Sequence, residues 1–138
     1  TDGDYAKERS LGFVGDTAFC LLRRDGEGAT AMIGTADPPY SHWLWKDLGV
    51  YLGGPHMLCL PDGRLVAAVR IRFGAGDQRR TALGVVDPHS GSFSEALALP
   101  SGGDTSYAGM ALHEGMLWVS YYSSHEEKTS IYVAQVAL

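Results

Sequence analysis

Apolar residues along this chain come in runs of five to nine, and each run is broken before a helical period can establish itself. Turn dipeptides separate the runs. Asp25-Gly26, Asp62-Gly63 and Glu114-Gly115 each fall between two apolar stretches, where glycine supplies the positive φ of a tight turn. Residues 55–60 lead into the second turn and 64–70 lead out of it; residues 107–112 and 116–122 flank the third in the same way. Both pairs read as β-hairpins. Further strands are predicted at 81–86 and 94–99 after the second turn and at 129–137 after the third. The first part of the chain repeats the order with strands at 11–14, 17–23, 29–35 and 44–48.

These are three imperfect copies of a four-stranded meander, each roughly forty to fifty residues long, which is the period of a propeller blade. The expected fold is all-β, with three four-stranded propeller-type blades at about 8–49, 50–100 and 101–138. The last copy shows no fourth apolar run, and the residues before Ser10 would supply one only in a closed ring. Propellers close with about four to eight blades. Three blades leave sheet flanks and edges bare, so the chain is expected to be half of a six-bladed propeller, completed by homodimerisation or by sequence outside this chain.

Composition narrows the partners. The 138 residues suit one domain, and a 45% hydrophobic, 20% charged chain is globular rather than disordered. Eleven Lys+Arg against sixteen Asp+Glu leave a net charge of −5, a poor match for nucleic acid phosphates. The excess acid lies entirely in residues 81–138, while Arg64, Arg70, Arg72, Arg79 and Arg80 crowd into one stretch whose plain explanation is a solvated strand edge. No apolar run approaches the ~20 residues of a membrane-spanning helix, so no membrane partner is expected. No basic-then-apolar leader is present, so no targeting segment is expected within the chain. Cys20 and Cys59 each sit in a strand-like run and are expected to be buried free thiols, which leaves the compartment open.

One set of residues has a wider likeness. Gly102-Gly-Asp-Thr-Ser-Tyr107-Ala-Gly-Met, with Leu117-Trp-Val-Ser-Tyr-Tyr-Ser-Ser-His-Glu and Thr129-Ser-Ile-Tyr-Val-Ala, resembles the closing blade of sialidase-like (BNR-type) six-bladed propellers. The segments beginning Ile33-Gly-Thr-Ala-Asp-Pro-Pro and Gly53-Gly-Pro-His-Met extend the likeness from about Glu8 to the end, over what would be the last three blades. The Asp-box pattern Ser-x-Asp-x-Gly-x-Thr-Trp is missing. The resemblance implies an exo-glycosidase acting on acidic sugars without a cofactor. It would use Tyr107 as nucleophile and Glu8 as the base that takes its proton, because a neutral phenol avoids the repulsion that a carboxylate nucleophile meets at an anionic sugar. It also implies arginines that grip the substrate carboxylate: Arg23 or its neighbour Arg24, and Arg80 or its neighbour Arg79. Asp104 completes the substrate-binding candidates. The family's first carboxylate-binding arginine and its acid/base aspartate belong to the opening half of such a propeller. The alternatives are a non-catalytic carbohydrate- or protein-binding propeller and a truncated scaffold relative.

Other constellations are weaker. Asp104, Ser106 and His113 could form a hydrolase triad, but no nucleophile elbow surrounds Ser106. His56 and Cys59 have ligand-like spacing, yet on a strand positions i and i+3 face opposite ways, and no metal is expected. His125-Glu126 lacks a second histidine, and Gly74-Ala-Gly76 precedes no helix. Trp43, Trp45 and Trp118 read as fillers between blades, with a sugar-stacking platform as the alternative.

Overall fold

The computed structural model describes residues 4–138. Eleven strands form three antiparallel sheets, and no helix occurs among the described residues. The first sheet runs in chain order through β1 (Tyr5–Val14), β2 (Thr17–Asp25), β3 (Met32–Ala36) and β4 (Leu44–Asp47). The second does the same through β5 (Gly53–Cys59), β6 (Leu65–Phe73), β7 (Gln78–Asp87) and β8 (Ser92–Ala98). The third contains β9 (Thr105–His113), β10 (Met116–Ser123) and β11 (Ser130–Ala137). Each sheet is an up-and-down meander, and the first strands β1, β5 and β9 lie side by side at the inner edge. This is the blade arrangement of an incomplete propeller.

Period-two alternation explains why the sheets stack face to face. Successive side chains on a strand point to opposite faces, and β6 is apolar on both. Leu65, Ala67, Val69 and Ile71 pack with Phe19, Leu21 and Ile33 in the core between the first and second blades. Val66 and Ala68 pack with Leu83, Leu117 and Val119 in the core between the second and third. The middle blade is therefore sandwiched, whereas the outer two each have one uncovered face. On the first blade that face carries Leu11 and Phe13; on the third it carries Trp118, Ile131 and Val133, with Ile131 81% exposed. Cys20 is buried and Cys59 half-buried, both as free thiols.

Two expectations need revision. The first strand starts at Tyr5, not at residue 11, because Tyr5 to Ser10 already pair with β2 from Asp25 to Leu21. Those residues are thereby committed to the first blade and cannot serve as a fourth strand for the third. The Asp25-Gly26 dipeptide does not close a two-residue hairpin either; residues 26–31 form a longer link in which Gly26 and Gly28 both have positive φ. Glu114-Gly115 does form the tight turn, with φ of 49° and 73°.

Candidate functional site

Each inner strand is interrupted once, and the three interruptions bring the site together. On β1 the register slips between Ala6 and Glu8, so that Glu8 comes opposite Arg23. On β5 it slips between Gly53 and His56, which face Arg70 and Ala68. On β9, Ser106 faces Tyr122 and Gly109 faces Ser120, leaving Tyr107 and Ala108 opposite one residue. A bulge bends its strand and re-aims a side chain. Here Tyr107 adopts φ 49° and Gly54 φ 49°, conformations that cost a non-glycine residue about 1–3 kcal/mol unless the surroundings enforce them.

The result is a hydrogen bond between the first and third blades. The Tyr107 hydroxyl donates to Glu8 Oε1 at 2.5 Å, across 99 positions of sequence. Arg23 Nη1 donates to the other oxygen, Glu8 Oε2, at 2.9 Å, and its Nε and Nη2 fork onto Asp25 at 2.7 and 3.0 Å. Partial burial raises the Glu8 pKa, but the bonds from Tyr107 and Arg23, the Arg23 charge and the Gly54 backbone N–H outweigh it and hold the carboxyl below its ordinary value. Asp25 is likewise raised by burial but lowered overall by Arg23 and Lys7. The Tyr107 phenol moves the other way, raised first by its bond to Glu8, then by burial and by the Glu8 charge. For Arg23 burial acts against the charge, yet Asp25 and Glu8 prevail and keep the guanidinium protonated. At neutral pH the pair is thus a phenol hydrogen-bonded to a carboxylate, which is the starting state for a proton transfer from tyrosine to glutamate.

Around this pair lie aromatic rings to which the sequence assigned no role and arginines that it read as a solvated strand edge. Tyr122 stacks on Tyr107 with ring centroids 6.2 Å apart and donates its hydroxyl to Asp104 Oδ1 at 2.9 Å. The Tyr51 ring lies under Arg72 at 4.4 Å and Arg23 at 5.6 Å, and its hydroxyl reaches Asp25 at 3.3 Å. Arg70 is buried on β6 beside Gly53. The period-two spacing of Arg70 and Arg72 after a run of buried apolar residues was the available signal, since it places both on one face.

Not every candidate joins the site. Arg23 is at its centre, whereas Arg24 points to the opposite face, bonding Thr30 and pairing with Asp47 and Asp4. Arg79 pairs with Asp77 and lies within electrostatic reach of Asp104 and Tyr51. Arg80, one residue on, is turned to the other face, forked onto Glu95 at 2.9 and 2.8 Å and stacked on Phe73. Strand alternation sends the neighbours to opposite faces in both cases. A cleft of about 460 Å³ opens beside Arg79 between Phe73, Asp77, Ser101 and Gly102. Tyr107 and Glu8 lie outside it, and Tyr107 is 58% exposed on the open side of the arc. Ser106 is buried, while His113 is exposed at the far end of the same strand, about 20 Å away at ~3.3 Å per residue, so the two do not meet as a triad. Among the described residues no three His, Cys, Asp or Glu side chains gather as a metal site.

The Glu8–Arg23–Asp25 network has a consequence for stability. Both carboxyl groups are depressed in the folded state from ordinary values of 4.5 and 3.8. The unfolded chain therefore binds more protons in the acid range. The stabilisation is fully present above about pH 5 and is lost as pH falls through the depressed folded values. Urea midpoints measured from pH 7 down to pH 3 are expected to fall for the wild type. Arg23→Met should start lower and show a shallower acid slope; parallel slopes would show that Arg23 is not what holds the two acids down.

No protein-family profile and no curated protein sequence matches this chain. Solved structures do. A protein of unknown function from Dyadobacter fermentans superposes with a TM-score of 0.75 at 21% identity, covering 98% of this chain and 39% of its own. Bacteroides ovatus xyloglucan PUL GH43B gives 0.68 at 16% identity, with 96% and 27% covered. An endo-1,4-beta-xylanase from Bacteroides thetaiotaomicron gives 0.66 at 10% identity, with 97% and 50% covered. The shared feature is the propeller fold, and this chain spans between about a quarter and a half of the length of these proteins.

Proposed function

We propose that this chain carries the nucleophile half of a glycosidase pocket for acidic sugars. The observation that carries the reading is the Tyr107 hydroxyl bonded at 2.5 Å to a Glu8 carboxylate that Arg23 keeps ionised. In the step it serves, the phenol oxygen attacks the anomeric carbon as its proton passes to Glu8. The bond from that carbon to the leaving oxygen breaks, and the leaving oxygen takes a proton from a general acid on the remaining blades. Water then attacks the anomeric carbon and gives its proton to the now deprotonated general acid, while the bond to the tyrosine oxygen breaks and Glu8 returns its proton to the phenolate. In this reading Arg23, bonded to Glu8, and Arg79, within electrostatic reach of Asp104, would grip the sugar carboxylate. Glycoside hydrolases among the propellers of similar fold support carbohydrate as the substrate class. The remaining blades come from further polypeptide or from a second copy.

A second reading, a carbohydrate-binding propeller without turnover, is favoured by the span of the chain, which leaves part of the pocket wall to other blades. A fluorogenic α-sialoside tested beside a fluorogenic β-xyloside separates the possibilities. Release from the sialoside alone is the expected result. Sialoside binding without release would select the second reading, and xyloside cleavage, or no binding of either glycoside, would overturn the acidic-sugar assignment.

A further inference from the structure

The third blade carries a second phenol–carboxylate pair, set against the first. The Tyr122 hydroxyl donates to Asp104 Oδ1 at 2.9 Å. Its ring lies on that of Tyr107 with centroids 6.2 Å apart and planes 26° from parallel, within the range of an offset stack. The two phenols send their protons to different acids. Tyr107 and Arg23 occupy the two oxygens of Glu8, while burial and the bond to Asp104 keep Tyr122 protonated. Buried and half-buried hydroxyls anchor the second pair at both ends. Thr105, fully buried, donates to the Tyr122 carbonyl at 2.7 Å and is linked at 2.7 Å to Thr81 on the second blade. Ser124 donates to the Asp104 carbonyl at 3.1 Å. Tyr107 has less support of its own. It projects from the β9 bulge, 58% exposed, with its hydroxyl at Glu8 and an open side toward solvent. Staggered rotamers other than the observed one are open to such a side chain unless a neighbour closes them, and taking one would break the bond to Glu8.

We infer that Tyr122 is the positioning residue of the Tyr107 nucleophile: its ring is the wall that keeps the phenol aimed at Glu8, and its bond to Asp104 fixes that wall. This role rests on the nucleophile reading above and deepens it, since it names what holds the attacking oxygen in line. Tyr122 acts through Tyr107 and touches no reacting atom itself. Asp104, expected from the sequence among the substrate-binding residues, is thereby given a different task, because its Oδ1 accepts from Tyr122. A stack suits the task. It restrains the ring plane without adding a bond to the phenol oxygen, which stays free to lose its proton to Glu8 and to form the new bond.

The test reads the phenol directly, by NMR titration of protein labelled with ¹³C at tyrosine Cζ, the Tyr107 signal being the one missing from Tyr107→Phe. Wild-type Tyr107 is expected to titrate above the ordinary phenol value of about 10, because its bond to Glu8 opposes ionisation. Tyr122→Leu, or Tyr122→Thr where the leucine variant does not fold, should lower that midpoint by roughly one pH unit. Tyr122→Phe, which keeps the ring, should lower it much less. In a Glu8→Ala background the loss of the Tyr122 ring should move the midpoint little, since no bond remains to be misaimed. On a fluorogenic α-sialoside, Tyr122→Leu should lose roughly 10² in kcat with KM little changed, the cost of about 1 Å of misplacement, and Tyr122→Phe should recover most of it. An unmoved midpoint after loss of the ring overturns the inference, as does an equal fall in Tyr122→Phe and Tyr122→Leu. A fall of the same size with and without Glu8 also overturns it, because Tyr122 would then merely cover the Tyr107 ring. Absence of sialoside turnover by the wild type, with the titrations as expected, removes the glycosidase reading and leaves Tyr122 as the residue that aims the phenol.

Discussion

Glu8→Gln is expected to lower kcat on an acidic-sugar glycoside by about 10²- to 10⁴-fold, the usual worth of a positioned general base. The substitution keeps the size and shape of the side chain, and an amide oxygen can still accept from the Tyr107 hydroxyl, although the amide NH2 then faces Arg23 Nη1 and that one bond is lost. What disappears is the ability to take the proton. A phenol whose ordinary pKa is about 10 then has no acceptor at the moment of attack. Arg23 keeps its fork onto Asp25 and remains in place, which confines the loss to the proton-transfer step. The signature is therefore a fall in kcat with little change in KM, accompanied by loss of the acid limb of the pH–rate profile. An unaltered kcat, or a loss expressed wholly in KM, would remove Glu8 from the chemistry and leave it as a structural partner of Arg23.

Gly54→Ala should destabilise the protein by about 2–4 kcal/mol, the sum of a left-handed backbone for a residue with a Cβ and of overpacking against a site that cannot yield. Gly54 has φ 49°, and an added Cβ would overlap Ser106 Oγ and come 3.1 Å from the Tyr107 nitrogen. Ser106 is buried and its hydroxyl has no partner to turn toward, so the serine has nowhere to go. Chemical denaturation would report the loss as a lower midpoint at unchanged m-value. A midpoint within experimental error of the wild type would mean that β5 and β9 move apart freely. Gly54→Ala in a Ser106→Ala background should recover part of the loss, because the two changes share one contact.

Blade architecture was legible in the chain because it depends on short-range signals. Apolar runs mark the strands, and glycine-containing turns set the antiparallel order. Tyr107, Glu8 and Arg23 were singled out by the family resemblance rather than by strand patterning, which began the first strand only at residue 11, and the structure brings those three together. The choice between Arg79 and Arg80 was not accessible, because the face on which a residue lies depends on strand register. Register around this site is broken by bulges at Lys7, Gly54 and Tyr107, which period-two reasoning passes over. The early start of β1 was missed for a related reason. Residues Tyr5 to Ser10 are mostly polar and exposed, and they become a strand through backbone pairing with β2 rather than through burial. Arg70 looked like one of five surface arginines. The structure buries it beside Gly53, a placement that only three-dimensional neighbours reveal.

Gly53 and Gly54 give the three blades a common origin of coordinates. The Glu8 carboxylate accepts from the Gly54 N–H, the Arg70 guanidinium lies against Gly53, and the Tyr107 backbone nitrogen lies close to Gly54. A tilt of one sheet relative to the next therefore carries the reactive groups along as a set instead of pulling them apart. The outer strands and loops are free to diverge in length and composition, since the alignment of the chemistry is referenced to that pivot and not to the rim.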